Sequence, residues 1–347
     1  MRVLIATVKV PFVQGGAELH AEGLRKALFA EGHEAEIVAL PFKWYPPERI
    51  LEQMLACQLL DVTESAGKSV DRVIGLKFPA YLIPHPNKVL WILHQHRPAY
   101  DLWKPEGDLI HYPNGAQICH AIQWADQRLI LQAKAIFTNS ATVSCRLKRY
   151  CGIDSMPLYH PPQHAERFYS GEAKDYFFLP SRLQPLKRQA LVLEALSCTR
   201  RPVCVRFAGA ADHPDYAEAL RTLALNLNVH RRVEWLGHVT EEEKYRLYAH
   251  ALGVIFPPID EDYGYVSLEA MLSSKPVVTC TDSGGPLEFV QEGETGLIVE
   301  PTPSALAIAM EQLWGDRLHA RRLGEAGFAH YQSLEISWTT VVQRLLS

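Results

Sequence analysis

Two tandem doubly wound α/β domains are the fold class the sequence predicts, on three observations. The chain has 347 residues, about twice the length of a usual domain. Its first forty residues run from a β-branched apolar stretch through a glycine loop and a helical repeat into a second apolar stretch. From residue 176 the same alternation begins again.

Taken in order, RVLIATV (residues 2–8) reads as a buried strand, and KVPFVQGG punctuates it. Ala17, Ala21, Leu24 and Leu28 then recur at helical spacing, Gly32 supplies the stop, and EAEIVAL resumes strand character. Strand, glycine loop, helix and strand open an α/β domain with a parallel sheet. Further strands are expected at RVIGL, KVLWILH, AIFTNS and PLYHP, with helices between. After HPPQHAERFYSGEAKD the pattern restarts with YFFLPS as a strand, KRQALVLEALSC as a helix, VCVRFAG as a strand and PDYAEALRTLALNLN as a helix. It continues through VEWLG, EEEKYRLYAHA, GVIFPP, VSLEAMLSS, PVVTC, GLIVE and SALAIAMEQLWGD. The expected division is a first domain over 1–168, a second over 169–325, and a terminal helix over 326–347 that packs back on the first. The hinge is expected near residues 160–175. Two such domains leave a cleft facing the carboxyl ends of both sets of strands, where α/β sheets bind ligands.

A hydrophobic content of 48% with 21% charged residues suits a globular protein with sizeable cores. The net charge of −4 gives no pull toward nucleic acid. The first apolar run is too short for a signal peptide, and no stretch reaches the roughly 18 apolar residues of a membrane span. The seven cysteines lack C-x-x-C spacing, so they read as reduced thiols in a cytoplasmic protein.

Three stretches carry candidate chemistry. Gly15 and Gly16 sit between a strand and a helix, where bare backbone amides can approach an anion. A tight turn alone also explains them, and the missing third glycine and acidic partner disfavour NAD. In LPSRLQPLKR, Arg182 offers a planar fork of donors and Lys187 a mobile point charge, a combination suited to a diphosphate. Two cations in a solvated loop are the plainer account. Arg188 is the alternative to Lys187, and it is expected to open the next helix pointing outward. In PPIDEDYGYVSLEAMLSSKPVV, Gly264 breaks the chain between a buried strand and a helix. Glu261 then belongs to the loop and Glu269 to the second helical turn, with the amides of Tyr265, Val266 and Ser267 facing a phosphate between them. Carboxylates on either side suit hydroxyls of two sugars flanking a diphosphate. For either glutamate alone, an acidic loop or a helix surface suffices.

The segment EDYGYVSLEAMLSSKPVV resembles the Glu-x7-Glu signature of the retaining glycosyltransferases of family 4, whose fold is GT-B, two Rossmann-like domains facing an interdomain cleft. The similarity also takes in the Gly-Gly loop, FTNSATVSCRLKRYCGI, SRLQPLKR, EWLGHVT, CTDSGGPLEFVQEGETGLIV and the final Trp-bearing helix. The resemblance implies that Arg182 and Lys187 hold the donor diphosphate, that Glu261 touches donor sugar hydroxyls, and that Glu269 touches the ribose. It implies that the base lodges beside His238 and Val239, that Gly15 and Gly16 close over the phosphate, and that His94 lies beside the transferred sugar. His96 and Arg97 are weaker candidates for acceptor contacts. Asp262 stands where many members have glycine, which bears on the sugar hydroxyls read.

The expected reaction moves a sugar, with retention of configuration, from a nucleotide-diphosphate sugar to an acceptor hydroxyl. The resemblance implies this retention, and that the departing phosphate itself helps to deprotonate the hydroxyl. Asp260-Glu261-Asp262 spells the Asp-x-Asp metal motif of a different fold, but the cations and helix amides already supply the positive field, so no metal or other cofactor is expected. Expected partners are the nucleotide-sugar donor and a carbohydrate or lipid-linked glycan acceptor, as in bacterial surface polysaccharide or glycolipid assembly. The segment LPFKWYPPERILEQMLACQLL fits a peripheral contact with the inner membrane face, or more simply a partly buried helix. A nucleotide-sugar epimerase and a non-catalytic nucleotide-sugar-binding protein remain the competing readings.

Overall fold

Parallel pairing of β1 (Arg2–Lys9) with β2 (Glu34–Pro41), from Arg2 opposite Glu34 to Lys9 opposite Pro41, starts the first sheet. The computed structural model describes residues 1–12, 15–103 and 108–347. It divides into one unit of residues 1–163 with 337–347 and a second of residues 164–336. In the first, β3 (Arg72–Gly75), β4 (Lys88–Ile92), β5 (Ala135–Thr138) and β6 (Met156–Pro157) complete a parallel sheet of order β2-β1-β3-β4-β5-β6. The helices are α1 (Gly16–Ala30), α2 (Glu48–Leu59), α3 (Gly115–Leu129) and α4 (Ala141–Cys151).

Every residue of β4 is buried, as a central parallel strand covered on both faces should be. Its alternation sends Leu90 and Ile92 into a core with Tyr81, Ile122 and Leu147. Val89 and Trp91 enter another with Ile5, Leu24 and Leu28. The strand expected at PLYHP is only two residues long: it ends at Pro157, and Pro161 and Pro162 cannot donate to a ladder.

The second unit repeats the plan with β7 (Phe177–Pro180), β8 (Val205–Ala208), β9 (Val233–Gly237), β10 (Gly253–Ile255), β11 (Val277–Cys280) and β12 (Gly296–Val299). Their order is β9-β8-β7-β10-β11-β12, so the direction of chain progress reverses between β7 and β10. Helices α5 (Gln189–Cys198), α6 (Pro214–Asn226), α7 (Glu241–His250), α8 (Tyr265–Leu272), α9 (Pro303–Gly315) and α10 (Arg317–Ser333) cover the sheet. Leu193, Leu196, Phe207, Ile255, Val278 and Met310 are core members.

The terminus departs from the expectation of one helix over 326–347. Helix α10 ends at Ser333 and packs on α8, so residues 326–336 stay with the second unit. Glu335 takes φ +49°, and the Ser337 hydroxyl accepts from the Thr340 amide to start α11 (Trp338–Leu346). That last helix belongs to the first unit. Its Trp338 ring meets His160, Trp91 and His20 at centroid distances of 5.6, 6.2 and 6.3 Å. Gly23 makes room, since a Cβ there would stand 2.5 Å from the indole. Arg72 fastens the far end by donating to the carbonyl oxygens of Leu345 and Ser347. Among the described residues, no helix is long and apolar enough to cross a membrane.

Candidate functional site

In an open parallel sheet, ligands bind outside the carboxyl ends of the strands where chain progress reverses. In the second unit that place lies between β7 and β10. The loop after β7 carries Arg182 and Lys187, and the loop after β10 carries Glu261. The two loops touch: the Ile259 amide donates to the Leu186 carbonyl oxygen at 2.8 Å, and the Lys187 ammonium pairs with the Glu261 carboxylate. Both side chains are largely buried, which strengthens the pair relative to one in open water. A cation and a carboxylate expected to grip different parts of one ligand thus hold each other.

A third loop, after β11, closes on Glu261 from the other side. The Glu261 amide donates to the Ser283 carbonyl oxygen at 2.9 Å, and the Gly285 amide donates to that of Glu261 at 2.8 Å. Gly284 has φ +70°, and a Cβ there would lie 2.7 Å from the Glu261 carbonyl oxygen, so this position takes only glycine. Tyr263 packs between Tyr265 and Phe289, with ring centroids at 4.8 and 5.6 Å.

Glu269 is held from α7. The Tyr248 hydroxyl donates to Oε2 at 2.6 Å, and the Lys244 ammonium lies 3.3 Å from Oε1. Burial alone would lower the Lys244 pKa, but Glu269 and Glu241 outweigh it and the shift is upward. Burial, reinforced by the Glu269 charge, pushes the Tyr248 hydroxyl well above its ordinary value. Arg182 is exposed and pairs with Asp212 at 3.0 Å. At the head of α8, Ser267 spends its amide on the Gly264 carbonyl oxygen at 2.9 Å, which removes it from the expected set of anion donors. Its hydroxyl is buried with no hydrogen-bond partner among the described residues.

Arg188 is also not as expected. It precedes α5 rather than pointing outward from it, and its guanidinium forms a two-pronged pair with Asp282, both contacts at 2.6 Å. Tyr248, Lys244, Asp212, Asp282 and Gly284 escaped the sequence reading, although the paired glycines of TDSGGP, beside an acid, are a legible sign of close backbone approach. Between β8 and β9 lies a pocket of about 260 Å3, lined by Trp235, Leu236, Gly237, Gly209, Ala210 and Arg221 among others. The expected pair His238 and Val239 comes next in the chain, and His238 is exposed. Among the described residues, no group of three His, Cys, Asp or Glu is arranged to hold a metal ion, the Asp260–Asp262 run included.

The first unit treats its candidates differently. The Gly15 amide donates to the Glu18 carboxylate at 2.8 Å, so the head of α1 already carries an acidic cap where an anion was expected. Val13 and Gln14 of that loop lie outside the described residues, and Gly16 is the first residue of α1. His94, after β4, donates from Nδ1 to the Gln95 carbonyl oxygen at 2.7 Å. The His96 ring packs on Phe78 and Phe42 at 5.3 and 6.0 Å, and burial, helped by His94, lowers its pKa to about 3. Arg97 is gripped by Asp101 at 2.5 and 2.8 Å. His96 is thus packed against aromatic rings from two other loops, and Arg97 is paired within its own.

That loop is anchored beneath by Asp126. This fully buried carboxylate accepts from the hydroxyls of Tyr100 at 2.7 Å and Tyr81 at 2.9 Å, and from Gln95 Nε2 at 3.3 Å. Burial is the largest influence and lifts its pKa to about 6, against the lowering effect of those three donors.

Residues 163–330 match the family model of glycosyl transferases group 1. Over 162 residues the chain is 32% identical to a D-rhamnosyltransferase, WbpZ, of Pseudomonas aeruginosa, covering 46% of this chain and 41% of that protein. Over 119 residues it is 30% identical to the alpha-1,3/1,6-mannosyltransferase ALG2 of Dictyostelium discoideum, covering 34% and 28%. The matched stretch thus spans about two fifths or less of either relative. The fold matches that of sucrose-phosphate synthase from Thermosynechococcus elongatus with a TM-score of 0.77 at 18% identity, over 99% of this chain and 97% of that one. The two parallel sheets are those of the GT-B fold.

Proposed function

We propose that this chain is a glycosyltransferase whose second unit binds a nucleotide-diphosphate sugar. The observation that carries the reading is the Lys187–Glu261 pair at the reversal of strand order, the position where α/β sheets take nucleotides. The match of residues 163–330 to group 1 glycosyl transferases supports it.

In this reading the base enters the pocket beside Trp235 and Gly237, the ribose hydroxyls bond to Glu269, and the diphosphate draws Lys187 away from Glu261. The exchange leaves the Glu261 carboxylate to accept from sugar hydroxyls. Arg182, exposed and paired with Asp212, swings to the same diphosphate. As the glycosidic bond loosens, charge grows on the leaving phosphate, and a fixed ammonium stabilises that state more than the ground state. The Glu-x7-Glu spacing of Glu261 and Glu269 resembles that of the retaining enzymes of family 4, and by that resemblance transfer retains configuration, with the departing phosphate helping to deprotonate the acceptor. Because Lys187 and Arg182 supply the field, transfer persists in excess chelator.

The acceptor is read, from the family resemblance, as a surface glycan or a lipid-linked precursor. On α2, Leu51, Leu55 and Leu59 are exposed at four-residue spacing, near Trp44 and Tyr45 in the chain, a composition that suits peripheral membrane contact. A thermal-shift panel with UDP, GDP, ADP and dTDP sugars tests the donor site, since a ligand specific to the native state raises Tm by mass action. One nucleotide class is expected to stand out, and that shift should vanish in Lys187→Ala. No shift with any of them, together with no transfer, would end the proposal.

A further inference from the structure

We infer that Arg188 is a positioning residue of the donor site, acting through Asp282 to hold Lys187 and Glu261 in register; the inference rests on the functional reading above. Arg188 joins the short 185–187 turn to α5 with φ +54° and ψ +39°, the left-handed region that residues bearing a Cβ seldom occupy. Strain of that kind persists where the surroundings over-determine it. Here the surroundings are the Asp282 carboxylate, met by both guanidinium nitrogens at 2.6 Å. The pairing raises the Arg188 pKa and lowers that of Asp282, so both stay charged.

The fork closes a ring of three loops that follow three different strands. The Leu186 carbonyl oxygen accepts from the Ile259 amide, which ties the β7 loop to the β10 loop. The Asp282 carbonyl oxygen accepts from the Asp260 amide at 2.9 Å, and Ser283 does the same for Glu261, which ties the β10 loop to the β11 loop. Arg188 to Asp282 is the third side, from β11 back to β7. Lys187 and Glu261 ride on two of these sides. While they hold each other they also tie their loops together, but that tie is lost once a diphosphate takes the ammonium. The Arg188 fork does not take part in the exchange, so it keeps the loops in place when Lys187 has to be aimed at the leaving phosphate. A planar guanidinium on a carboxylate fixes distance and angle together, which a lysine at 188 does not.

The variants that test this are R188G, R188K, R188D and the reversal R188D/D282R. Glycine removes the fork and also relieves the left-handed strain, so R188G should fold with a nearly unchanged Tm. In the ligand-free protein its amides at Ile259, Asp260 and Glu261 should exchange about tenfold faster as the ring opens. With whichever nucleotide sugar the wild type uses, kcat should fall by about ten- to a hundredfold, while donor KM moves by less than about threefold. R188K should fall between wild type and R188G. The reversal should recover at least tenfold over R188D, because aspartate tolerates the left-handed region and the arginine at 282 restores the fork. Unchanged exchange and kcat in R188G, or a reversal no better than R188D, would overturn the assignment. A wild type that transfers from no nucleotide sugar would defeat the functional reading alone, since amide exchange still decides whether the fork braces the loops.

Discussion

After the second sheet, Lys187 meets Glu261, Arg188 meets Asp282 and Lys244 meets Glu269, each cation against a carboxylate carried by another element. Within the first unit, Asp126 is held by two tyrosines and a glutamine, Lys88 donates to carbonyl oxygens, and His20 faces His160 at 2.9 Å. The second unit thus fixes its loops with full charges, and in the proposed reading an incoming diphosphate trades places with one of the carboxylates. The first fixes its elements with buried polar groups whose protonation is tied to folding. If the proposed function holds, one construction answers to a ligand and the other to pH.

The largest effect that would break this contrast is on transfer. Lys187→Ala and Glu261→Ala should each lower kcat by about a hundred- to a thousandfold, the usual cost of removing one preorganised group at a site of developing charge. Far-ultraviolet circular dichroism should stay near wild type, since the pair lies in loops beyond the strand ends, while Tm falls modestly because each variant leaves one largely buried charge without its partner. Near-normal turnover in both variants would leave the charge pairs as mere loop braces.

Stability against pH sharpens the other half. Asp126 has its folded pKa raised to about 6, so the fold favours its protonated form, and stability from this group declines as pH rises from below 4 through 6. His20 has its folded pKa lowered to about 3, so its neutral form is favoured, and stability from it is lost as pH falls from 6.5 toward 3. The two act in opposite directions over one window. Asp126→Asn should therefore gain on wild type by about 2–3 kcal/mol between pH 4 and 7, an order-of-magnitude figure from the shift. His20→Gln should lose less than wild type on acidification. Chemical denaturation at closely spaced pH values reads both differences, and parallel curves for all three proteins would refute the buried-group account.

Trp338→Ala comes next, at about 2–3 kcal/mol, below the full cost of a buried tryptophan because this ring is only half-buried. Urea unfolding of the first unit should shift to lower denaturant, while nucleotide binding by the second unit stays intact. An equal loss of nucleotide affinity would mean that α11 serves both units.

The sequence carried the sheets well because central parallel strands such as KVLWI are continuous apolar runs, unlike anything else in the chain. It singles out Lys187, Arg182, Glu261 and Glu269 as candidates because charged residues beside Gly264 and the turn at Pro185 stand out against those runs. It did not show that Lys187 and Glu261 meet, since 74 residues separate them and only the strand order brings their loops together. Asp126 was hidden for the opposite reason. It sits on an otherwise ordinary amphipathic helix, and nothing local distinguishes it from a solvated acid. The break at residues 334–337 was missed because no glycine or proline marks it; a serine cap and a left-handed glutamate make the turn instead.

The smallest expected change falls on His96, where the resemblance and the packing disagree. A neutral ring set against Phe78 and Phe42 can be exchanged for phenylalanine with little loss of volume, so His96→Phe should move stability by less than about 1 kcal/mol. Burial keeps the imidazole uncharged to about pH 3, so the substitution removes no positive charge at working pH. If the ring only packs against those phenylalanines, kcat/KM for the acceptor stays within about twofold of wild type, since no transition-state contact is lost. A fall beyond tenfold with donor KM unchanged would give His96 a hydrogen bond to the acceptor, and the first unit would then hold a ligand contact of the neutral kind its interior already favours.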